Sequence, residues 1–178
     1  NFVDGDFEQP SVWKANLAFE HELPWHGIVF SAEAMFTEVE NGLTYRNLNL
    51  GDVTYEAQDG RDMFYDPART GRSWRTQDNR WLRNRSFDPV YLLENTGMGG
   101  SKQFTVSLDR PFSNESDWAW SLGYTYTQSK EVSPLSSSQN TSNWNNTLIF
   151  NANEDVAYNS RYAIKDRITG TLEWKHNF

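Results

Sequence analysis

Cysteine is absent from the 178-residue chain, which excludes disulfide frameworks, thiolate metal sites and cysteine nucleophiles while leaving the compartment open. Long apolar runs are absent too. None approaches the roughly 20 residues of a membrane helix, and Asn1 to Asp6 hold no basic stretch leading into an apolar one, as a secretory signal would. Basic charge is scarce: 16 Lys and Arg stand against 24 Asp and Glu, giving a net charge of −8 and a pI near 4.8. Nucleic acid is therefore not an expected partner. A helical membrane protein is excluded, but a membrane β-barrel is not, because alternating strands average to a hydrophilic mean hydropathy, here −0.77.

Rings are abundant. Hydrophobic residues make up only 37% of the chain, which is polar for a protein that must bury its own core. Yet eight Trp, eight Tyr and eleven Phe argue against disorder, since rings reward burial. Their spacing has period two. Trp118, Trp120, Leu122, Tyr124 and Tyr126 alternate without a break with Ala119, Ser121, Gly123, Thr125 and Thr127. On a strand, such alternation gives one large apolar face and one small hydroxylic face. Four more segments repeat it. Trp13, Ala15, Leu17, Phe19, His21 and Leu23 oppose Lys14, Asn16, Ala18, Glu20 and Glu22, and Ile28, Phe30, Ala32, Ala34 and Phe36 oppose Val29, Ser31, Glu33, Met35 and Thr37. Phe104, Val106, Leu108 and Phe112, interrupted by Arg110, oppose Gln103, Thr105, Ser107 and Asp109. Ile168, Gly170, Leu172, Trp174 and Phe178, interrupted by His176, oppose Arg167, Thr169, Thr171, Glu173 and Lys175.

The connections take turns in length. Pro24 to Gly27 and Ser113 to Asp117 suit tight hairpins, whereas about 40–101 and about 130–162 are far longer than loops inside compact domains. Long strands, with short turns at one end and long loops at the other, are what an outer-membrane barrel requires. Leu23, Trp25, Phe112, Trp118, Trp174 and Phe178 would line the short-turn end, and Trp13, Phe36, Phe104 and Tyr126 the long-loop end, as two aromatic girdles. The expected fold is all-β: an antiparallel meander of about five long strands, part of a transmembrane β-barrel, with two long extracellular loops. Residues 1–178 would form a single partial barrel segment. Alternation also fits a soluble β-sandwich binding carbohydrate through exposed Trp and Tyr, because it says only that one face is apolar.

Tyr91-Leu-Leu-Glu-Asn-Thr-Gly97, followed by Ser101-Lys-Gln-Phe-Thr-Val-Ser-Leu-Asp-Arg-Pro-Phe112, resembles the run into a barrel strand and periplasmic turn in the large TonB-dependent outer-membrane receptors of the Oar-like kind, from Gram-negative bacteria. Trp118 to Lys130 looks like that family's next strand, leading out to a Ser/Asn-rich loop. Ser160-Arg-Tyr-Ala-Ile-Lys-Asp-Arg-Ile-Thr-Gly170 resembles its descent into the membrane. The resemblance covers about 11–50 and 90–178. It implies residence in the bacterial outer membrane, a barrel of about 22 strands around an N-terminal plug, and uptake or binding of a bulky nutrient. The implied partners are outer-membrane lipid, the rest of the barrel and plug, an inner-membrane energising complex acting through the plug region, and a nutrient ligand of unknown identity. No plug or coupling segment is recognisable near the start, and five strands cannot close a barrel, which needs at least eight. The chain is therefore expected to be a fragment lacking strands on both sides, with Phe178 at a cut.

Between 61 and 85, seven Arg and three Asp give a local net of +4. Arg69, Arg72, Trp74, Arg75, Arg80, Trp81 and Arg83 are the candidate ligand-binding residues, because guanidinium forks pair with carboxylates or phosphates and Trp offers stacking faces. The same loop also reads as solvated, its Arg paired with neighbouring acids. Asp4-Gly5-Asp6 and Asp59-Gly60-Arg61-Asp62 do not continue into the ligand spacing of a calcium loop. His21, His26 and His176 have no metal-ligand spacing, so no metal or cofactor is expected. No GxSxG or phosphate loop occurs, and an enzyme is not expected. Ser136 to Trp144 reads as a mobile extracellular loop. Lys14, Asn16, Glu20, Glu33, Thr125, Thr127, Glu173 and Lys175 would face a lumen and set its polarity.

Overall fold

The computed structural model describes residues 1–65, 81–114 and 116–176. Its elements are β1 (Phe2–Val3), β2 (Ser11–Glu22), β3 (Val29–Asn47), β4 (Tyr55–Glu56), β5 (Asp62–Met63), β6 (Tyr91–Thr96), β7 (Gly100–Arg110), β8 (Trp118–Glu131), α1 (Asn140–Asn146), β9 (Tyr158–Asn159) and β10 (Asp166–Trp174). The chain is mostly β and divides into two compact units. One comprises Val12–Val39, Gly99–Glu131 and Asn159–Phe178, and the other comprises Asn1–Ser11, Glu40–Met98 and Val132–Tyr158.

The first unit contains all five expected strands. β2 pairs with β3. β3 runs antiparallel to β7 from Val29↔Asp109 to Glu38↔Gly100, β7 to β8 from Gly100↔Lys130 to Arg110↔Trp120, and β8 to β10 from Tyr126↔Asp166 to Trp118↔Trp174. Residues directly opposite share a face, so these registers join the separate period-two rows into one apolar and one polar surface. The β2–β3 turn closes with Leu23 N donating to Ile28 O at 2.7 Å and Ile28 N to Trp25 O at 3.4 Å. Its central residues His26 and Gly27 have φ of 59° and 61°, the left-handed pair of a type I′ turn, whose twist matches the flanking strands. Ser113 and Ser116 exchange backbone hydrogen bonds of 3.4 and 3.3 Å in the β7–β8 turn, and both turns lie at the same end of this sheet.

The second unit departs from a simple meander. The later half of β3, Gly42 to Asn47, runs antiparallel to β6, and β1 joins the other side of β6 in parallel. Part of the expected loop at 40–101 is therefore sheet. β4 and β5 form a small antiparallel pair. The Ser136 to Trp144 stretch, expected as mobile loop, contains most of α1, and there the reason is local bonding. Asn143 is 4% exposed; its side chain donates to Ser137 O (2.8 Å) and accepts from Ser137 N (2.9 Å). A buried amide that satisfies backbone groups in both directions folds a polar stretch without apolar residues.

Every buried residue among those described lies in this second unit. The apolar ones are Leu50, Tyr91 and Val132, joined by the polar Thr44, Asn47, Asn49, Glu94, Thr96 and Asn143. The polar members are bonded into place. Asn49 Nδ2 donates to the carbonyls of Asn84, Phe87 and Asp88 at 2.9, 3.1 and 3.2 Å. Asn153 Oδ1 accepts from Asn47 N (2.9 Å) and Trp144 Nε1 (3.0 Å), and its amide donates to Asn47 O at 2.9 Å.

Candidate functional site

The first unit's sheet presents its apolar face uncovered. Trp13, Leu17, Phe19, Phe36, Phe104, Val106, Trp118, Leu122, Tyr124, Ile168, Leu172 and Trp174 are each at least 40% exposed, with Leu17 at 75% and Ile168 at 76%. Together they expose on the order of 1,000 Å², about twice the largest apolar patch of an ordinary soluble monomer. The rings collect toward both ends. Trp118 and Trp174, opposite in register, stack at 6.0 Å, and Trp174 stacks on His176 at 5.2 Å. At the far end Phe36 meets Phe104 edge-on at 5.7 Å, and Lys165 Nζ lies 5.9 Å from the centre of the Tyr126 ring. Tyr124 Oη donates to Asp166 Oδ1 there at 2.7 Å. Phe178 lies outside the described residues.

The opposite face is polar, largely hydroxylic on β7 and β8 and charged on β2 and β10. Asn16 Nδ2 donates to Glu33 Oε1 at 2.8 Å, Thr105 and Thr125 share a hydroxyl hydrogen bond of 3.2 Å, and Ser107 Oγ donates to Asp109 Oδ2 at 2.7 Å. A shallow depression of about 400 Å³ is lined in part by Glu20, Ser31, Glu33, Thr105 and Ser107. Register places Glu33, Thr105 and Thr125 side by side across three strands. These groups suit polar solvent or a hydrogen-bonding solute, and they form no acid–base constellation.

Of the seven candidate ligand-binding residues, Arg69, Arg72, Trp74, Arg75 and Arg80 lie outside the described residues. The other two have structural partners. Trp81 packs against Gly51, where a Cβ would overlap the indole. Gly51 N donates to Trp81 O at 2.8 Å, and Trp81 N to Phe64 O at 3.1 Å. Arg85 Cζ stands 5.5 Å over the Trp81 ring, and Arg83 Nη2 is 3.6 Å from Asp52 Oδ1 at the surface. Arg61 Nε pairs with Asp59 Oδ2 at 2.7 Å. Lost hydration raises the Asp59 carboxyl, but hydrogen bonds and charge from Arg61 outweigh it and hold Asp59 below its ordinary value.

Two features went unread in the sequence. Arg46 grips the nearly buried Glu94 with a two-pronged ion pair, Nε to Oε1 at 2.9 Å and Nη2 to Oε2; the pairing of β3 with β6 places them together. Thr96 Oγ1 donates to Asp155 Oδ1 at 2.7 Å. Among the described residues no cluster of His, Asp and Glu could hold a metal ion. No family model, curated protein or solved structure matches this chain.

Proposed function

We propose that the chain is wall and outer loop of an outer-membrane β-barrel, a TonB-dependent receptor that takes up a nutrient. The uncovered apolar face carries the reading. The first unit has no buried residue among those described, yet twelve large apolar side chains line one side of its sheet. In water such a surface is unstable, whereas against acyl chains it is the stable state. The row from Trp118 to Tyr126 spans nine residues, the length of a tilted transmembrane strand, and rings mark both of its ends. The hydroxylic face would border the lumen, and the second unit would be the loop region that meets the nutrient. A soluble sandwich would need a covering layer on the ring row, and the exposure of Leu122 and Tyr124 argues against one. The reading requires further strands to close the wall, since eight is the smallest barrel.

These 178 residues contain no cysteine, so a single label site can be introduced here once any cysteine elsewhere in the full-length protein is replaced by serine. A fluorophore on Leu122→Cys, in the full-length protein reconstituted in vesicles, is expected to be quenched by brominated acyl chains and shielded from aqueous iodide. On Ser121→Cys the order should reverse. Iodide quenching at both positions without lipid quenching at 122 would overturn the proposal.

A further inference from the structure

Strand β7 carries two cations on its apolar face, Lys102 and Arg110, with only Phe104, Val106 and Leu108 between them on that side. They stand eight positions apart, about 26 Å along a strand and about 20 Å along the membrane normal at a tilt near 40°. That is close to the thickness of a barrel's apolar band, about 25 Å. Lys102, at the far end, is exposed. Arg110, at the turn end, differs: its Nε is buried and has no hydrogen-bond partner. Among the described residues no carboxylate lies within ion-pair distance of it. Asp109 faces the other way and accepts from Ser107 Oγ. Opposite Arg110 stands Trp120, two residues from the Trp118–Trp174 stack.

Nε is covered by protein and out of a ligand's reach, so the guanidinium can meet an outside acceptor through its Nη groups, for which no hydrogen bond or ion pair is present among the described residues. An acceptor that arrives with an apolar tail, at the depth where an apolar band ends, is a phospholipid headgroup. We infer that Arg110 binds the phosphate of a phospholipid in the leaflet on the short-turn side through its two Nη groups, a fork of donors that lysine lacks. The inference rests on the barrel reading, and it names a single lipid-anchoring residue that the reading alone does not require.

The test uses the full-length protein in detergent, with native mass spectrometry counting bound phosphatidylglycerol against diacylglycerol of the same acyl chains. The intact protein is expected to retain phosphatidylglycerol in preference by about tenfold, the discrimination of one charge-assisted pair. Arg110→Gln should abolish the preference, and Arg110→Lys should keep part of it. The folded state of each variant is checked by its mobility in unheated gels. A preference that survives Arg110→Gln, or that inorganic phosphate removes by competing for the site, overturns the inference. Lipid quenching at Leu122→Cys would still stand in that case, so the anchor can fail while the barrel reading holds. Loss of that quenching removes both.

Discussion

Replacing Leu122 with arginine separates a lipid-covered face from a water-covered one. Leu122 lies four positions from Trp118 and four from Tyr126, with Leu108 opposite on β7 and Gly170 opposite on β10. It is 52% exposed, so an arginine meets no steric wall and its cost is set by whatever medium covers that face. At the midplane of a bilayer the cost is about 2–4 kcal/mol, a loss of roughly 30- to 900-fold in the folding constant. In water an exposed Leu→Arg change stays within about 0.5 kcal/mol. The neighbouring Ser121 is the control. Its side chain is on the polar face opposite Asp109 and Thr171, where arginine gains a cross-strand carboxylate worth about 0.2–1 kcal/mol. Depth supplies a third point, since arginine at Tyr126, near the rim, should cost only about 0–1 kcal/mol. Urea titration of the full-length protein folding into vesicles, followed by gel mobility, measures all three. Equal costs at 121 and 122, or a cost at 122 below about 0.5 kcal/mol, would refute the assignment of faces.

Two further outcomes concern the second unit. Gly51→Ala should destabilise it by about 1–3 kcal/mol, because the new methyl would overlap the Trp81 indole while backbone bonds to Gly51 and Phe64 hold Trp81 in place; unchanged hydrogen-exchange protection around Leu50 and Leu82 would show that the ring yields freely. Asp59 should titrate below its ordinary 3.8, so its contribution is complete above that value and is lost as pH falls through the lower folded midpoint. An NMR titration should find the midpoint rising toward 3.8 in Arg61→Gln, and an unmoved midpoint would remove Arg61 as the cause.

Legibility in the sequence followed the physics of each face. A strand between two unlike media must alternate, so Trp118 to Thr127 announced both its conformation and its two surfaces. The five long strands were readable for that reason, and so were the turns, because Pro24 to Gly27 supplied the residues that a reversal needs. The second unit obeys no such rule. Its buried positions include Asn47, Asn49, Thr96 and Asn143, residues whose polarity signals exposure in any hydropathy reading, and all of these but Asn143 are held by bonds to residues far away in sequence. Asn47 meets Asn153, and Asn49 meets Asn84. Nothing periodic marks such partners, because each is chosen by hydrogen-bond geometry instead of by a shared solvent.

The interruptions of the alternating pattern then gain meaning from position. In the sequence, Arg110 and His176 are blemishes in apolar rows. In the structure His176 stacks on Trp174 and Arg110 stands opposite Trp120, both at the end of the sheet where the short turns lie. A charge placed at random along these rows would fall as often among Val106, Leu108, Leu122 and Leu172 as at their ends. Across β7, β8 and β10 the interior of the face is uncharged, and the charges Lys102, Lys130, Asp166 and Arg110 stand at the margins. A face that had only to meet water would place no cost on a central charge, so this segregation supports the proposed contact with lipid. It points the same way as the exposure of the rings, through a different property of the residues.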